Sequence, residues 1–199
     1  MTERTAILGG SFDPVHYGHL HLLKCILSMT SFSRIFVVPA FLSNFKQGAG
    51  SVASADDRLQ MLRLALEDFN DENPELAAGK QIIIDDREIR KGGVSYTIDT
   101  VKSIKQEFGI PERIGLIIGD DHLPRLGEWE GFDQLKELVV FLIFRRFGVK
   151  TPPPEGAECI FIDNPVFDGS STEVRDGYRE EELLSPRVEA YVRKHALYC

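Results

Sequence analysis

The stretch GGSFDPVHYGHL, residues 9–20, places three glycines, a proline and two histidines between two apolar segments. The segment before it, residues 5–8, is short and apolar, which is typical of a buried strand. From Leu20 to Leu27, apolar residues recur at helical intervals. We therefore predict that this stretch forms the turn between a strand and a helix.

The composition of this turn suits an anionic ligand, most naturally a phosphate. Glycine lets the backbone approach a ligand closely, and Pro14 fixes φ near helical values where the helix begins. Free N–H groups at a helix start attract an anion. His16 and His19 share one face of a helix and can point at the same group. A zinc site and a hydrogen-bonded structural pair remain alternatives for these histidines.

Charge and histidine content narrow the function further. The 199 residues carry 31 Asp and Glu against 23 Lys and Arg, a net charge of -8. Sequence-independent binding of nucleic acid needs a strongly basic surface, so we do not expect this protein to bind nucleic acid in that way. An anionic substrate must therefore bind in a local pocket of positive charge. A zinc site would need more ligands at a familiar spacing. The remaining histidines are isolated: His21, His122 and His195.

The cysteine content and the length of the apolar runs indicate the cellular compartment in which the protein works. The three cysteines, Cys25, Cys159 and Cys199, are few and far apart, which indicates free thiols in a reducing cytoplasm. There is no apolar segment close behind Met1, so we do not expect a secretory signal. The longest apolar run, residues 138–144, is too short to span a bilayer. It predicts a strand buried on both faces.

Short apolar runs alternate with amphipathic segments along the chain. We predict strands at residues 5–8, 34–38, 81–85, 114–118, 138–144 and 158–162. We predict helices at residues 18–29, 55–69, 96–108 and 132–137, the second introduced by Ser54 as an N-cap. The alternation predicts one α/β domain over residues 1–199, a Rossmann-like doubly wound parallel sheet with helices on both faces. Ligands in such sheets bind beyond the carboxyl ends of the strands.

A second candidate anion site lies far downstream in DGSSTEVR, residues 168–175. Serine and threonine after a glycine favour a helix N-cap, and Arg175 adds a permanent charge one turn on. Taken alone, the segment is an ordinary capped helix. Two such helix starts in one parallel sheet favour a shared anionic ligand.

Three connections are long or rich in turn residues. Residues 40–54 predict a solvated loop with one lysine, Lys46. Residues 70–80 predict a surface connection. Residues 150–156, KTPPPEG, predict an extended proline-rich link between two strands.

Together, these segments resemble a known family. GGSFDPVHYGHL is similar to the nucleotidyltransferase signature with the core His-x-Gly-His, and GSSTEVR resembles the second signature, Ser-Ser-Thr-x-x-Arg. The closest resemblance is to bacterial nicotinate-nucleotide adenylyltransferases and covers essentially the whole chain. Further segments carry it: SYTIDTV (95–101), IGDDHLPRLGEWEGFDQL (118–135), FRRFG (144–148) and VEAYVRKHALY (188–198).

The resemblance implies that the 5′-phosphate of nicotinate mononucleotide attacks the α-phosphorus of ATP, giving the dinucleotide and pyrophosphate. It implies Mg²⁺ on the ATP phosphates rather than in a protein cage, and small-molecule substrates without nucleic-acid or membrane partners. A homo-oligomer is compatible with it. The implied catalytic residues are His16, His19, Lys46 and Arg175. The implied ATP contacts are Gly9, Gly10, Ser11, Phe12, His16, His19, Gly119, Asp121, Ser171, Thr172 and Arg175.

Several of the implied assignments leave alternatives. The family often has a Pro-His-Lys-like cluster where this chain has Asn44-Phe45-Lys46, so the histidine is missing there. Asp121 could instead cap a helix, and the adjacent Asp120 leaves the register open by one. Trp129, the only tryptophan, could stack on a cationic ring or lie in the core. The implied contacts of the pyridine nucleotide are Tyr96, Thr97, Trp129 and Arg146.

Two other functions stay open at this point. The chain could prefer nicotinamide mononucleotide or accept both mononucleotides. It could also be a nucleotide-binding sensor without turnover, although both histidines, Ser171, Thr172 and Arg175 are all retained.

Overall fold

The computed structural model describes residues 4–42, 53–148 and 151–198, which contain a six-stranded parallel sheet. The strand order is β3-β2-β1-β4-β5-β6, and every neighbouring pair is parallel. Because the strand order reverses between β1 and β4, a crevice forms at their carboxyl ends. The predicted doubly wound parallel sheet is confirmed. The strands are β1 (Arg4–Gly10), β2 (Phe32–Pro39), β3 (Gln81–Ile84), β4 (Ile114–Gly119), β5 (Val139–Phe144) and β6 (Cys159–Ile162).

Helices connect the strands and cover both faces of the sheet. The predicted N-cap of the second helix is confirmed, because Ser54 Oγ accepts the Asp57 N–H at 3.1 Å. A 3₁₀ helix, Asp120–Glu128, follows β4 directly. The α-helices are α1 (Tyr17–Met29), α2 (Ala55–Glu72), α3 (Pro74–Ala77), α4 (Arg87–Lys91), α5 (Thr97–Glu107), α6 (Phe132–Leu138), α7 (Ser171–Arg175), α8 (Glu180–Leu183) and α9 (Pro186–Lys194).

Side chains of the sheet alternate between two buried clusters. On β1, Leu8 packs with α1, α2 and α9, whereas Ile7 packs with α5 and α6 on the opposite face. All six residues of β5 are buried, as predicted for this apolar run, although Leu138 ends α6 instead of beginning the strand. Burial of both faces explains why these strands are continuous apolar runs without polar alternation.

Some predicted boundaries and connections are wrong. Residues 70–80 are not a simple surface connection, since α2 continues to Glu72 and α3 begins at Pro74. The dipeptide Asn73-Pro74 carried that signal, because proline is favoured at the first helical position. The 3₁₀ helix after β4 and the short helices α4, α8 and α9 were also outside the predicted helices. Among the helices of the described ranges, none is long and apolar enough to cross a membrane.

Candidate active site

A cavity of about 460 Å³ lies at the carboxyl ends of β1, β4 and β5. This is the crevice that the strand order predicts, and its volume is that of an ordinary small-molecule site. It brings together most of the residues that the sequence nominated. Those in its lining are Gly9, Gly10, Ser11, His16, His19, Thr97, Gly119, Asp121, Trp129, Arg146, Ser171 and Thr172.

Three nominated residues lie outside the lining. The Phe12 ring is 1% exposed and packs 4.9 Å from the His19 ring, so its side chain supports the turn from beneath. Tyr96 is the N-cap residue of α5 and is exposed to solvent. Arg175 bonds to the turn itself, as described below. Lys46 lies outside the described residues.

The two histidines hydrogen-bond the start of α1 and are thereby fixed in one tautomer. His16 is the N-cap residue, and its Nδ1 accepts the Gly18 N–H at 3.0 Å. His19 Nδ1 accepts the His16 N–H at 3.2 Å. Because Nδ1 is an acceptor in both rings, the proton of each neutral imidazole is on Nε2. The ring centroids are 4.0 Å apart, so the structure places two N–H donors side by side at the cavity.

Burial keeps the His16 imidazole neutral. It lowers the pKa of His16 to about 4, and the nearby Arg146 guanidinium lowers it in the same direction. His16 therefore carries no charge near neutral pH, and it can stabilise a phosphate only by hydrogen bonding. Cationic charge at the cavity comes from Arg145 and Arg146, which both line it.

Gly18 is required by the packing of the first histidine. A Cβ there would lie 2.6 Å from His16 Cε1 and 2.9 Å from Phe167 Cδ1. We expect Gly18→Ala to displace the His16 ring, to lower the free energy of unfolding by about 1–3 kcal/mol, and to lower turnover strongly. Denaturant unfolding and a turnover assay measure both effects.

Gly9→Ala is the matched control for the stability effect, since a Cβ at Gly9 meets nothing within 4 Å. Its free energy of unfolding should stay close to that of the wild type. If the Gly18 variant were equally stable and fully active, the ring of His16 would not need its present position.

The second signature joins the first through two hydrogen bonds. Ser171 Oγ donates to the Pro14 carbonyl at 2.9 Å, and Arg175 Nη1 donates to the Asp13 carbonyl at 2.6 Å. Arg175 also donates to Thr172 Oγ1 at 2.9 Å. The predicted N-cap is present at Ser170, but α7 has only five residues. This segment therefore contributes hydroxyl groups to the cavity, and its arginine holds the histidine turn in place.

The structure separates the roles of Asp120 and Asp121. Asp120 is buried, and its Oδ1 accepts the N–H groups of Arg146 and Phe147, both at 3.0 Å. It therefore fixes the chain that leaves β5. Asp121 lines the cavity, and its Oδ2 lies 3.4 Å from Arg146 Nη1. Its Oδ1 is buried and has no hydrogen-bond partner in the described part of the chain, so it is placed to accept a bond from a ligand.

Trp129 is both part of the core and part of the cavity lining, the two alternatives that the sequence left open. The indole packs against the second core cluster and also lines the cavity. The His122 ring is nearly perpendicular to the indole, with the ring centroids 5.6 Å apart. Burial is the main reason that the pKa of His122 is lowered. The indole can therefore offer a face to a flat ligand while the core fixes its position.

Sequence reasoning missed several polar residues of the cavity. Glu88 Oε1 accepts the Thr100 hydroxyl at 2.5 Å, and burial raises the pKa of this carboxyl group. Asn164 accepts the Arg145 N–H at 2.8 Å and so ties the ends of β5 and β6 together. Polar residues directly after strand ends were the available signal for Arg145 and Asn164. The missed lining residues include His21, Glu88, Ser95, His122, Arg145 and Asn164.

The fold and the joined signatures define a nucleotidyltransferase. The chain belongs to the cytidylyltransferase-like family, whose family model matches residues 7–177. Its curated relatives carry a more particular name, "Probable nicotinate-nucleotide adenylyltransferase". The relative from Halalkalibacterium halodurans is 32% identical, over 98% of this chain and 91% of the relative. The relative from Borreliella afzelii is 31% identical, over 98% of this chain and 96% of the relative.

Solved structures show the same fold. The Plasmodium falciparum nicotinic acid mononucleotide adenylyltransferase complexed with NaAD matches with a TM-score of 0.75. It is 21% identical, and the match covers 98% of this chain and 97% of that chain. The predicted fold and the predicted enzyme class, a nucleotidyltransferase of the nicotinate-nucleotide adenylyltransferase type, are confirmed.

Proposed function

We propose that this chain transfers the adenylyl group of ATP to nicotinate mononucleotide, forming nicotinate adenine dinucleotide and pyrophosphate in NAD biosynthesis. One observation carries the proposal: two signatures far apart in sequence meet at one end of a cavity that also contains an indole and hydroxyl groups. The names of the relatives support the same reaction. The Plasmodium falciparum enzyme of the same fold supports it too, since that enzyme is complexed with NaAD.

The reaction requires no nucleophile from the protein. An oxygen of the mononucleotide 5′-phosphate, already ionised at neutral pH, forms a bond to the α-phosphorus of ATP. The bond from that phosphorus to the bridging oxygen breaks, and its electron pair leaves with pyrophosphate. The protein positions two polyanions and offsets the charge that develops on the leaving group.

Donors of the histidine turn are suited to that charge. His16 and His19 each have the ring proton on Nε2, because their Nδ1 atoms accept the N–H groups of Gly18 and His16. Ser171 and Thr172 add hydroxyl groups from the second signature. Fixed donors of this kind stabilise a transition state without reorganising during the reaction.

Magnesium enters as part of the substrate MgATP. In residues 4–42, 53–148 and 151–198, no group of three or more His, Cys, Asp or Glu side chains could hold a metal ion. The histidine turn supplies N–H donors, which suit phosphate oxygens and not a cation. We therefore expect phosphate oxygens and water to coordinate the ion.

We assign the pyridine nucleotide to the lining residues Trp129, Thr97 and Arg146. The Trp129 indole can stack on a pyridinium ring, because an aromatic face attracts a cation. Thr97 opens α5, where the hydroxyl and the first N–H groups suit a carboxylate. Arg146 can approach a phosphate or the carboxylate. Asp121 remains an acceptor for the adenosine.

Other features stay predictions. We expect one catalytic domain over residues 1–199 and activity in a reducing cytoplasm, without nucleic acid as a substrate. Lys46 is expected to supply a cation from the loop of residues 40–54. A homo-oligomer is compatible with this function.

Pyrophosphate release tests the proposal directly. With MgATP and nicotinate mononucleotide, we expect pyrophosphate and dinucleotide in equal amounts, and neither product when one substrate is omitted. Binding of both nucleotides without release of pyrophosphate would instead identify a sensor, and the enzymatic function would be rejected.

A further inference from the structure

The end of the chain reaches the first signature. After α9, the Leu197 N–H donates to the Val192 carbonyl at 3.1 Å, which turns the last residues back toward the sheet. The Tyr198 hydroxyl then donates to Asp13 Oδ1 at 2.8 Å. Asp13 belongs to the turn between β1 and the two histidines, so Tyr198 contacts this turn from the segment that follows α9.

Asp13 connects four separate segments. Its Oδ1 also accepts the Ala53 N–H at 3.1 Å, at the end of the connection between β2 and α2. Its carbonyl oxygen accepts the Arg175 guanidinium of the second signature. The side chain is 3% exposed, so this carboxylate depends on protein donors instead of water.

A buried arginine completes this arrangement. The Arg58 guanidinium is 1% exposed and donates to the carbonyl oxygens of Ser11 and Ala40 at 2.6 and 2.7 Å. Burial lowers the pKa of Arg58, and the nearby Asp13 carboxyl group acts in the opposite direction. Burial and Asp13 both raise the pKa of Tyr198, so the phenol remains a protonated donor.

We propose that Tyr198 is a positioning residue for adenylyl transfer: through Asp13 it fixes the turn that presents His16 and His19 to the phosphates. The proposal rests on the proposed function for its reaction. Losing the hydroxyl leaves a buried carboxylate one donor short, so Asp13 must rotate or recruit water. Either change moves the turn that Asp13 shares with the histidines.

The chain contains a matched control. Tyr191, in α9, donates to Asp57 Oδ1 at the same 2.8 Å, but Asp57 lies in the first turn of α2 and not in the turn that carries the histidines. Tyr198→Phe and Tyr191→Phe therefore each remove one phenol-to-carboxylate hydrogen bond from the same segment. We expect Tyr198→Phe to lower kcat about tenfold, the scale of one hydrogen bond to a charged group. The KM for nicotinate mononucleotide should change little, and Tyr191→Phe should stay within about twofold of the wild type.

A double-mutant cycle tests the route through Asp13. If Tyr198 acts through this carboxyl group, Tyr198→Phe combined with Asp13→Ala, which removes both acceptor oxygens, should lower kcat no further than Asp13→Ala alone. Additive losses would overturn the proposal. Equal kcat values for the Tyr198 and Tyr191 variants would overturn it as well.

A second readout is independent of the reaction. The ¹⁵N resonances of the His16 and His19 rings report the position of the turn in the protein without substrates. We expect Tyr198→Phe to shift them and Tyr191→Phe to leave them unchanged. Unshifted resonances would reject the positioning role even if the wild type were active. Shifted resonances in a protein that releases no pyrophosphate would reject the proposed function and retain the structural link.

Discussion

Replacing His19 by alanine is expected to lower turnover at least about a hundredfold, the scale of removing one preorganised donor from a developing negative charge. His16→Ala should have a similar effect. Both rings hold their proton on Nε2 and lie side by side at the cavity. Steady-state kcat with saturating MgATP and nicotinate mononucleotide measures this loss.

A capping variant separates catalysis from folding. His16 also caps α1, so His16→Ala removes a helix cap that is worth about 1 kcal/mol. Asparagine is a good N-cap residue that can still accept the Gly18 N–H, but it cannot reproduce the imidazole Nε2–H. His16→Asn should therefore keep most of the stability and lose most of the turnover.

His195→Ala provides the control for histidine replacement as such. This ring is exposed and stacks on Tyr191, outside the cavity lining. The His195→Ala variant should therefore have the same turnover as the wild type. If His16→Ala and His19→Ala both stayed within a few-fold of the wild type, the pair would be structural and the mechanism above would be wrong.

The fold could be predicted because its strands are buried on both faces. Apolar runs such as residues 139–144 have no polar alternation, and amphipathic segments separate them, which together specify a parallel sheet. Short helices were harder to predict. Helix α4, for example, has only five residues and ends at Gly92, which has a φ of 69°, so no periodic pattern could develop.

Much of the candidate site could be predicted because turn residues carry local information. The glycines and histidines of GGSFDPVHYGHL indicate a close approach to an anion without any knowledge of distant contacts. The role of Arg175 could not be predicted in this way, because its hydrogen bond to the Asp13 carbonyl joins segments that are far apart in the chain. The same holds for Tyr198 and Glu88, whose partners only the tertiary structure brings near. Spacing along the sequence cannot encode such pairs.

Nicotinate mononucleotide is expected to be used several hundredfold better than nicotinamide mononucleotide. The two differ by a carboxylate against a neutral carboxamide, so selectivity must come from donors that face the carboxylate. Thr97 and the first N–H groups of α5 supply such donors, and the helix dipole favours negative charge there. A site that hydrogen-bonds a charged group loses several kcal/mol with a ligand that lacks it. The kcat/KM ratio at fixed MgATP measures this selectivity.

Glu88 also lines the cavity, and its carboxylate could lower this selectivity by accepting a hydrogen bond from the amide group of nicotinamide mononucleotide. Its Oε1 already accepts the Thr100 hydroxyl. Burial raises the pKa of this carboxyl group, which makes its protonation easier beside the negative charge of a nicotinate. If the donors of α5 dominate, Thr97→Val should lower the kcat/KM ratio of the two mononucleotides.

Thr172→Val makes the same substitution at the phosphate end of the cavity and serves as its control. It should lower kcat/KM equally with both mononucleotides, because it removes a hydroxyl that does not face the pyridine ring. A wild-type ratio near one, or a preference for the amide, would show that Glu88 outweighs the donors of α5. The chain would then be a dual-specific or nicotinamide-preferring enzyme.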